Sequence, residues 1–272
     1  MPKNKLMIKS ILFDLDGTLA DTSHDMCDSL NRVLISHNLR EVDCLNLKKY
    51  ISRGAIGVIE YASIVNKREI DSSLLRAEFL EDYKSNCFNK TCLNKNIDIL
   101  LDFLLEMNIK IGIVTNKHSR YVDQIIKGLK IENNLSCVIT GDMVLNAKPA
   151  TDGLVKASKI IGFPHSSIIY IGDDERDIIA GRNAGMVTVA ADFGFINDDD
   201  TLETVKVATG ADFADGIATW TGPNGEAYPV GTVTIPAGTT SATVSVPLKQ
   251  DTIAESSEFF LTAFFGAQLS DG

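Results

Sequence analysis

Residues 8–18 read IKSILFDLDGT, an apolar run that passes directly into two aspartates and a glycine. The run at 8–13 predicts a buried strand, and Gly17 permits a tight turn after it. Ligands of open parallel sheets bind beyond the carboxyl ends of the strands, so Asp14 and Asp16 are candidate site residues. Two acids spaced by one residue are also compatible with a solvated strand end.

Four more apolar runs, separated by helical patterns, predict strands of the same kind. Residues 97–105, for example, place five apolar side chains, the last of them Leu105, at helical spacings of three and four. Strands that alternate with helices predict an α/β fold, a doubly wound parallel sheet of the Rossmann-like kind. Residues 21–93 show only helical patterns, which predicts a helical insert after the first strand. The predicted later strands are 109–114, 136–140, 168–171 and 186–190, and the helical stretches of the insert are 26–35, 56–64 and 74–83.

Three later strand ends also carry polar groups. Residues 115–117 (Thr-Asn-Lys) offer a hydroxyl and backbone N–H groups that can hold an anion, although Thr and Asn also cap helices. Lys148 precedes a helical stretch, where a surface lysine is the ordinary interpretation. Residues 172–177 (GDDERD) crowd four acids after a strand, and this density of like charge favours a bound cation.

An acid pair, a hydroxyl, a lysine and an acid cluster, each at a strand end, form a pattern that resembles the haloacid dehalogenase (HAD) superfamily of phosphohydrolases over residues 6–197. The resemblance implies a phosphatase in which Asp14 attacks phosphorus and forms an aspartyl-phosphate. It implies that Asp16 protonates the leaving group and then activates water. It also implies Mg²⁺ as cofactor, held by Asp14, the backbone carbonyl of Asp16, and Asp173.

The same resemblance implies roles for four more residues. Thr115 and Asn116 would hold the transferring phosphoryl group, and Lys148 would offset charge between nucleophile and phosphate. Asp177 would orient Lys148 or a metal-bound water, whereas Asp174 receives no definite role. Superfamily members that displace halide lack an acid at the position of Asp16 and need no metal, so dehalogenation is disfavoured. A phosphomutase shares every catalytic residue and stays an alternative.

The helical insert corresponds to the cap of this superfamily, which closes over the site and supplies specificity. The predicted domains are therefore a catalytic core, 1–20 with 94–197, and a cap, 21–93. Within the cap, residues 51–55 and 75–83 resemble the phosphoglycolate phosphatase group. The resemblance extends to its proteobacterial branch that includes N-acetylmuramic acid 6-phosphate phosphatases.

Arg53 is the candidate substrate-binding residue of the cap. Many relatives carry an arginine two residues after the glycine of this loop, but here Ile56 stands there and Arg53 precedes Gly54. A bidentate contact with a carboxylate or a sugar has either moved or been lost. A solvated loop cation is the other interpretation of Arg53. Phosphoglycolate and a muramic sugar phosphate both stay open as substrates.

Composition limits the partners and the compartment. The net charge of −10 argues against binding to a nucleic-acid backbone and favours a small-molecule partner. The five cysteines, an odd number without a C-x-x-C pair, indicate neither a zinc site nor a disulfide framework and favour a reduced cytoplasm. The apolar run at 11–13 that follows the basic start is too short for a signal peptide or a membrane span.

Composition changes near residue 200. Residues 201–272 hold only 2 Lys+Arg, no cysteine and 12 threonines, against 7 threonines in the first 200 residues. Alternating runs at 232–235 and 242–246, joined by a turn that contains Pro and Gly, predict a β-rich, sandwich-like segment over 198–272. This segment resembles an incomplete Calx-β repeat, so the second part of the chain is expected to lie outside the catalytic unit.

The C-terminal resemblance implies calcium binding around Asp251, Glu255 and Glu258, in the manner of an adhesion protein. Gln250 and Ala227 stand where acids are usual, which argues against calcium. Because the segment lacks its opening and closing strands, unpaired edges predict self-association. The phosphatase family continues after the position of Ile196 with one more strand and a helix, which this sequence is expected to lack. The junction between the phosphatase-like part and the C-terminal segment therefore resembles a fusion of two unrelated parts. Intact catalytic loops favour the phosphatase over the adhesion protein.

Overall fold

The computed structural model describes residues 8–67, 71–191 and 194–195, and the backbone of three short strands beyond them. The strands are β1 (Ser10–Phe13), β2 (Ala20–Asp21), β3 (Cys92–Leu93), β4 (Lys110–Val114), β5 (Leu135–Ile139), β6 (Ile168–Gly172), β7 (Val187–Ala191), β8 (Thr204–Val205), β9 (Thr219–Thr221) and β10 (Ala227–Pro229). The α-helices are α1 (Ser23–Ser36), α2 (Cys44–Ile51), α3 (Gly54–Asn66), α4 (Ser72–Asn86), α5 (Ile97–Glu106), α6 (Ser119–Gly128), α7 (Asp152–Ile161) and α8 (Glu175–Asn183).

The central sheet is parallel, with the strand order β5-β4-β1-β6-β7-β8. This confirms the predicted α/β sheet, and each of the five predicted strands lies within two residues of its expected bounds. Strand β1 is central, and the chain adds β4 and β5 on one side of it before it crosses to β6 and β7 on the other. The reversal leaves a crevice at the carboxyl end of β1, where sheets of this kind bind ligands.

Alternate residues of a strand point to opposite faces of the sheet, so both faces present apolar side chains. Helices cover each face. Ile11 and Phe13 belong to a hydrophobic cluster with α5 and α6, whereas Leu12 belongs to a second cluster with α7 and α8. Helix α5 buries four of the five apolar residues of its predicted face. Leu105 is the exception, at 38% exposure, so the prediction of its burial is wrong: it lies at the edge of the apolar stripe.

Helices α1 to α4 form the insert and pack on one another, α1 against α4 and α2 against α3. Their apolar residues, such as Leu34 and Phe79, join the same cluster as Ile11 of the sheet. The base of the insert is a two-residue antiparallel ladder in which Asp21 pairs with Cys92. The prediction of no strand within 21–93 therefore needs correction at its two ends, where the pairing partners are too far apart in sequence to form a local pattern.

A disulfide joins Cys27 of α1 to Cys44 at the start of α2. The prediction that the cysteines form no disulfide is therefore wrong. The pair could not be predicted from the sequence, because the two cysteines are 17 residues apart and are neighbours only through the packing of α1 against α2. Cys87, Cys92 and Cys137 are free. Since disulfides are rare in reducing compartments, the cytoplasmic location predicted from cysteine content loses this support.

The chain beyond residue 195 is described only at three strands. Strand β8 extends the central sheet by pairing with β7, which corrects the expectation that the core receives no further strand. Strands β9 and β10 form an antiparallel pair. The expected runs at 232–235 and 242–246 and the calcium residues from Gln250 to Glu258 lie outside the described residues, so the Calx-β resemblance stays a prediction. No helix in the described ranges is long and apolar enough to cross a membrane.

Asp25, a residue of α1 that is 1% exposed, fastens the insert to its return segment. Its carboxylate accepts hydrogen bonds from the backbone N–H groups of Asn89, Lys90 and Thr91, at distances of 2.9 to 3.0 Å. The hydroxyl of Thr91 donates a further bond of 2.7 Å to the same side chain. One buried carboxylate therefore satisfies the donors of a turn that has no helix or strand partner.

We expect Asp25→Asn to lower the free energy of unfolding by about 3 kcal/mol, because an amide nitrogen would face backbone donors that then lose their acceptor. Asp28→Asn is the matched control on the same helix: Asp28 makes a partly exposed ion pair with Lys90 at 2.7 Å. Its loss should cost less than about 1 kcal/mol. Urea unfolding of both variants measures the difference, and equal losses would contradict the role of Asp25.

Candidate active site

Asp14 directly follows the central strand β1, and its backbone N–H donates a 2.8 Å hydrogen bond to the carbonyl of Ile171 on β6. Its side chain is buried, and Oδ1 lies 2.8 Å from Nζ of Lys148. This contact is an ion pair without hydrogen-bond geometry: within the described part of the chain, Oδ1 accepts no hydrogen bond. Burial raises the pKa of Asp14 to about 6, an effect that Lys148 opposes and Asp177 reinforces.

Lys148 is the cation of this cluster, with a side chain only 6% exposed. Its Nζ also lies 2.6 Å from Oδ1 of Asp177 and donates a 2.9 Å hydrogen bond to the hydroxyl of Tyr170. Burial alone would lower the pKa of Lys148, but the carboxylates of Asp14 and Asp177 raise it above its usual range. Lys148 is therefore a fixed buried ammonium rather than the surface lysine that its sequence context also allowed.

Asp173 is held from two sides. Its Oδ1 accepts a 2.9 Å hydrogen bond from the hydroxyl of Thr18, and its Oδ2 accepts a 2.7 Å bond from the backbone N–H of Phe195. Gly17 makes room for it, since a Cβ there would lie 2.2 Å from Oδ2, and its φ of +83° also favours glycine. Burial, with repulsion from Asp14 and Asp177, holds the pKa of Asp173 well above its usual range.

Asp14, Asp173 and Asp177 offer carboxylate oxygens that all lie within 4.8 Å of one another. Among the described residues, Lys148 is the cation paired with these buried acids, and one oxygen of Asp14 has no hydrogen-bond donor. A hard divalent cation such as Mg²⁺ fits this donor set, because it prefers oxygen ligands and would offset the remaining charge. The carboxylate of Asp16 is not part of the cluster, whereas Asp177, predicted only as an orienting residue, is.

Asp16 lies apart from that cluster and has its own partners. Its Oδ1 accepts a 2.6 Å hydrogen bond from the hydroxyl of Thr22. Nζ of Lys117 donates to Oδ1 at 2.9 Å and to Oδ2 at 3.1 Å. Burial alone would lower the pKa of Lys117, but Asp16 raises it above its usual range. Lys117 belongs to the motif at 115–117, but the sequence pattern predicts no role for it.

Thr115 and Asn116 lie at the carboxyl end of β4, beside the acids, and both line the same cavity. The hydroxyl of Thr115 accepts a 3.2 Å hydrogen bond from the backbone N–H of Lys117. The side-chain amide of Asn116 is occupied: it donates to the carbonyl of Lys148 at 3.0 Å and accepts from its N–H at 2.9 Å. Asn116 thus positions the loop of Lys148 through its side chain.

A cavity of about 380 Å³ lies between the strand ends and the insert. Arg53 lines it, but its side chain is 56% exposed and forms an ion pair with Glu60 at 2.7 Å. Arg76 and Arg120 also line the cavity, and Arg76 forms no ion pair with another described residue. The lining of the cavity therefore carries cations besides the acids, and of these Arg53 is already paired.

Asp174 connects the core to the insert. It caps α8 by accepting a 2.8 Å hydrogen bond from the backbone N–H of Arg176, and it pairs with the guanidinium of Arg176 at 2.7 Å. The same guanidinium donates to the carbonyl of Ser52, at the end of α2. Asp174 thus has a structural task and lies outside the three-acid cluster.

A family model described as haloacid dehalogenase-like hydrolase matches residues 11–191 of this chain. The chain belongs to the haloacid dehalogenase-like hydrolase family. That match spans β1 to β7 and therefore includes all the residues of the site except Phe195.

Individual relatives agree with this family. The hydrolase is 33% identical over 195 residues to an N-acetylmuramic acid 6-phosphate phosphatase from Pseudomonas putida, a match that covers 72% of this chain and 87% of the relative. It is also 33% identical over 198 residues to a phosphoglycolate phosphatase from Xanthomonas campestris, covering 71% and 88%. A crystal structure of a predicted phosphoglycolate phosphatase from Haemophilus somnus superimposes with a TM-score of 0.65 at 25% identity, covering 70% and 88%.

The acid cluster predicts that Mg²⁺ stabilises this hydrolase. At about 100 times the dissociation constant, binding should contribute about 2.7 kcal/mol, which corresponds to a rise of roughly 5–10 °C in the melting temperature. Asp173→Asn should abolish this rise. Asp174→Asn should keep it, because Asp174 lies outside the cluster and Asn also caps helices. Melting curves with Mg²⁺ and with a chelator test this; an equal rise in Asp173→Asn would contradict the assignment.

Proposed function

We propose that this hydrolase is a Mg²⁺-dependent phosphomonoesterase that acts on a small phosphorylated metabolite through an aspartyl-phosphate at Asp14. The observation that carries the proposal is the state of Asp14 Oδ1, a buried carboxylate oxygen that lies 2.8 Å from an ammonium group and accepts no hydrogen bond from a described residue. Such an oxygen is available as a nucleophile, and Lys148 offsets the charge of an approaching phosphoryl group. The phosphatase names of the relatives support the same reaction class.

In the first step, the Asp14 carboxylate attacks phosphorus and forms an acyl phosphate, while the bond from phosphorus to the substrate oxygen breaks. Asp16 donates a proton to that oxygen, which leaves as an alcohol. The hydroxyl of Thr115 and the backbone N–H of Asn116 are the proposed phosphoryl contacts, since the Asn116 side chain is occupied by Lys148. In our proposal Lys148, fixed by Asp177 and Tyr170, lies beside the reacting oxygens.

In the second step, Asp16 is a carboxylate and takes a proton from water as the water oxygen attacks the same phosphorus. The acyl–phosphate bond breaks, inorganic phosphate leaves, and Asp14 returns to its carboxylate form. Asp14, Asp173 and Asp177, with the backbone carbonyl of Asp16, would hold Mg²⁺. When bound, Mg²⁺ supplies positive charge that offsets the phosphoryl oxygens during both displacements.

The proposed substrates are phosphoglycolate and N-acetylmuramic acid 6-phosphate. Both names occur among the 33% identical relatives, and both compounds carry a carboxylate besides the phosphate. The cations of the cavity wall suit a second anionic group, and Arg76 suits it better than Arg53, whose guanidinium is paired with Glu60. A phosphomutase would use the same residues, and no observation of the cavity favours it. A cytoplasmic location and self-association through the C-terminal segment stay predictions.

Asp14→Asn should lower kcat with p-nitrophenyl phosphate by roughly 1,000-fold or more, because the amide cannot act as the nucleophile. Asp28→Asn, on the surface of α1, should keep the rate of the parent protein. Steady-state assays in Mg²⁺ measure both variants. A rate for Asp14→Asn close to that of the parent protein would remove the mechanism.

Parallel assays on phosphoglycolate and N-acetylmuramic acid 6-phosphate should show a clear preference for one of them in kcat/KM, since discrimination arises from contacts made by the cap. Arg76→Gln should raise KM for the preferred substrate and leave p-nitrophenyl phosphate, which has no carboxylate, nearly unchanged. Equal and feeble rates on both natural candidates would mean that the interpretation of the cap is wrong.

A further inference from the structure

The two acids of residues 14–16 have separate lysines. Lys148 lies beside Asp14, and Lys117 lies beside Asp16. The lysines differ in their other contacts: Lys148 also pairs with Asp177, whereas Asp16 is the one carboxylate paired with Lys117 in the described ranges. Lys148 serves the nucleophile Asp14 and the acid cluster, so the presence of a second buried lysine beside Asp16 needs its own explanation.

The surroundings of Lys117 keep its ion pair away from bulk water. Its side chain is 7% exposed, and that of Asp16 is 20% exposed. Nζ lies 4.8 Å from the ring centre of Tyr83, a buried residue of cap helix α4. The ring face attracts the ammonium and lowers the local polarity, and both effects fix the ammonium and strengthen its bonds to Asp16.

The carboxylate of Asp16 is consequently held at a defined angle. Thr22 and Lys117 both donate to Oδ1, and Lys117 is the donor within hydrogen-bond distance of Oδ2. Removing Lys117 would leave, among the described donors, the bond from Thr22, about which the carboxylate can turn. The remaining acceptor capacity of Oδ2 is what a water molecule would need in order to give up its proton.

We propose that Lys117 is a positioning residue that holds the Asp16 carboxylate in place for the activation of water in the second step. The proposal rests on the aspartyl-phosphate mechanism above. It assigns Lys117 to the step in which Asp16 takes a proton from water, because the two hydrogen bonds from Nζ fix the direction in which the Asp16 carboxylate faces. A misplacement of a general base by about 1 Å can cost on the order of 100-fold in rate.

The test uses rapid-mixing kinetics with p-nitrophenyl phosphate in Mg²⁺. Its leaving group needs little help from an acid, so Asp14 should still be phosphorylated at nearly the normal rate in Lys117→Met. Steady-state turnover should fall about 100-fold because hydrolysis of the aspartyl-phosphate is slow. The variant should therefore release one equivalent of nitrophenol per enzyme in a burst, followed by slow turnover. Lys117→Arg should restore part of the steady-state rate.

A double-mutant cycle separates action through Asp16 from a general structural role. In the Asp16→Asn background, Lys117→Met should cause little further loss, because the group that Lys117 positions is already gone. Lys127→Met, an exposed residue of α6, is the matched control and should change neither phase. The Mg²⁺-dependent rise in melting temperature should persist in Lys117→Met, which shows that the acid cluster is folded.

The inference would be overturned by a burst phase slowed as much as the steady state, or by a full additional loss in the Asp16→Asn background. An unchanged steady-state rate in Lys117→Met would overturn it as well. These failures are distinguishable from failure of the proposed function, which would appear as turnover by Asp14→Asn. If Asp14→Asn is inactive and Lys117→Met shows no burst, the proposed mechanism stands and the proposed role of Lys117 is wrong.

Discussion

The ion pairs of Lys148 with Asp14 and Asp177 are the constraint around which the site is built. Asp14 and Asp173 follow the neighbouring strands β1 and β6, and Asp177 lies in the first turn of α8. Their buried carboxylate oxygens lie within 4.8 Å of one another, and Lys148 pairs with Asp14 and Asp177. Isolated, each buried charge would cost several kcal/mol. The fold tolerates the group because Thr18, Tyr170 and backbone N–H groups donate hydrogen bonds to Asp173 and Asp177, and because the three-acid donor set suits a divalent cation. The parallel sheet supplies the rigid strand ends that this concentration of charge requires.

Most of the core could be predicted because its signals are local. Each buried strand is a short apolar run with a polar residue or glycine at its end, so β1, β4 and β6 lie close to their expected positions. Features that depend on residues far apart in sequence could not be predicted. The Cys27–Cys44 disulfide and the pairing of β2 with β3 each join residues that are far apart in sequence and adjacent only in the folded insert. The predicted burial of Leu105 is wrong for a similar reason. Whether a residue at the edge of an apolar helix face is buried depends on which other elements pack there.

The candidate site shows the same division. Asp14, Asp173, Thr115 and Lys148 were identified from motifs, and the structure brings them to one cavity. The motifs do not supply the contacts that Tyr170 and Asn116 make with Lys148. Tyr170 is an apolar strand residue by its sequence context, and only the packing shows its hydroxyl against Lys148. The side chain of Asn116 is likewise bound to the Lys148 backbone, which no spacing rule predicts.

The contact between Arg176 of α8 and the carbonyl of Ser52 joins the sheet region to the helical insert through a group that every amino acid possesses. A guanidinium that binds main chain places no demand on which side chain follows α2. This one attachment is therefore compatible with substitution at position 52, while the hydroxyl of Ser52 adds a second one by donating a 3.3 Å hydrogen bond to the carbonyl of Phe195. Selectivity can diverge among descendants of such a hydrolase without loss of the architecture that carries the chemistry.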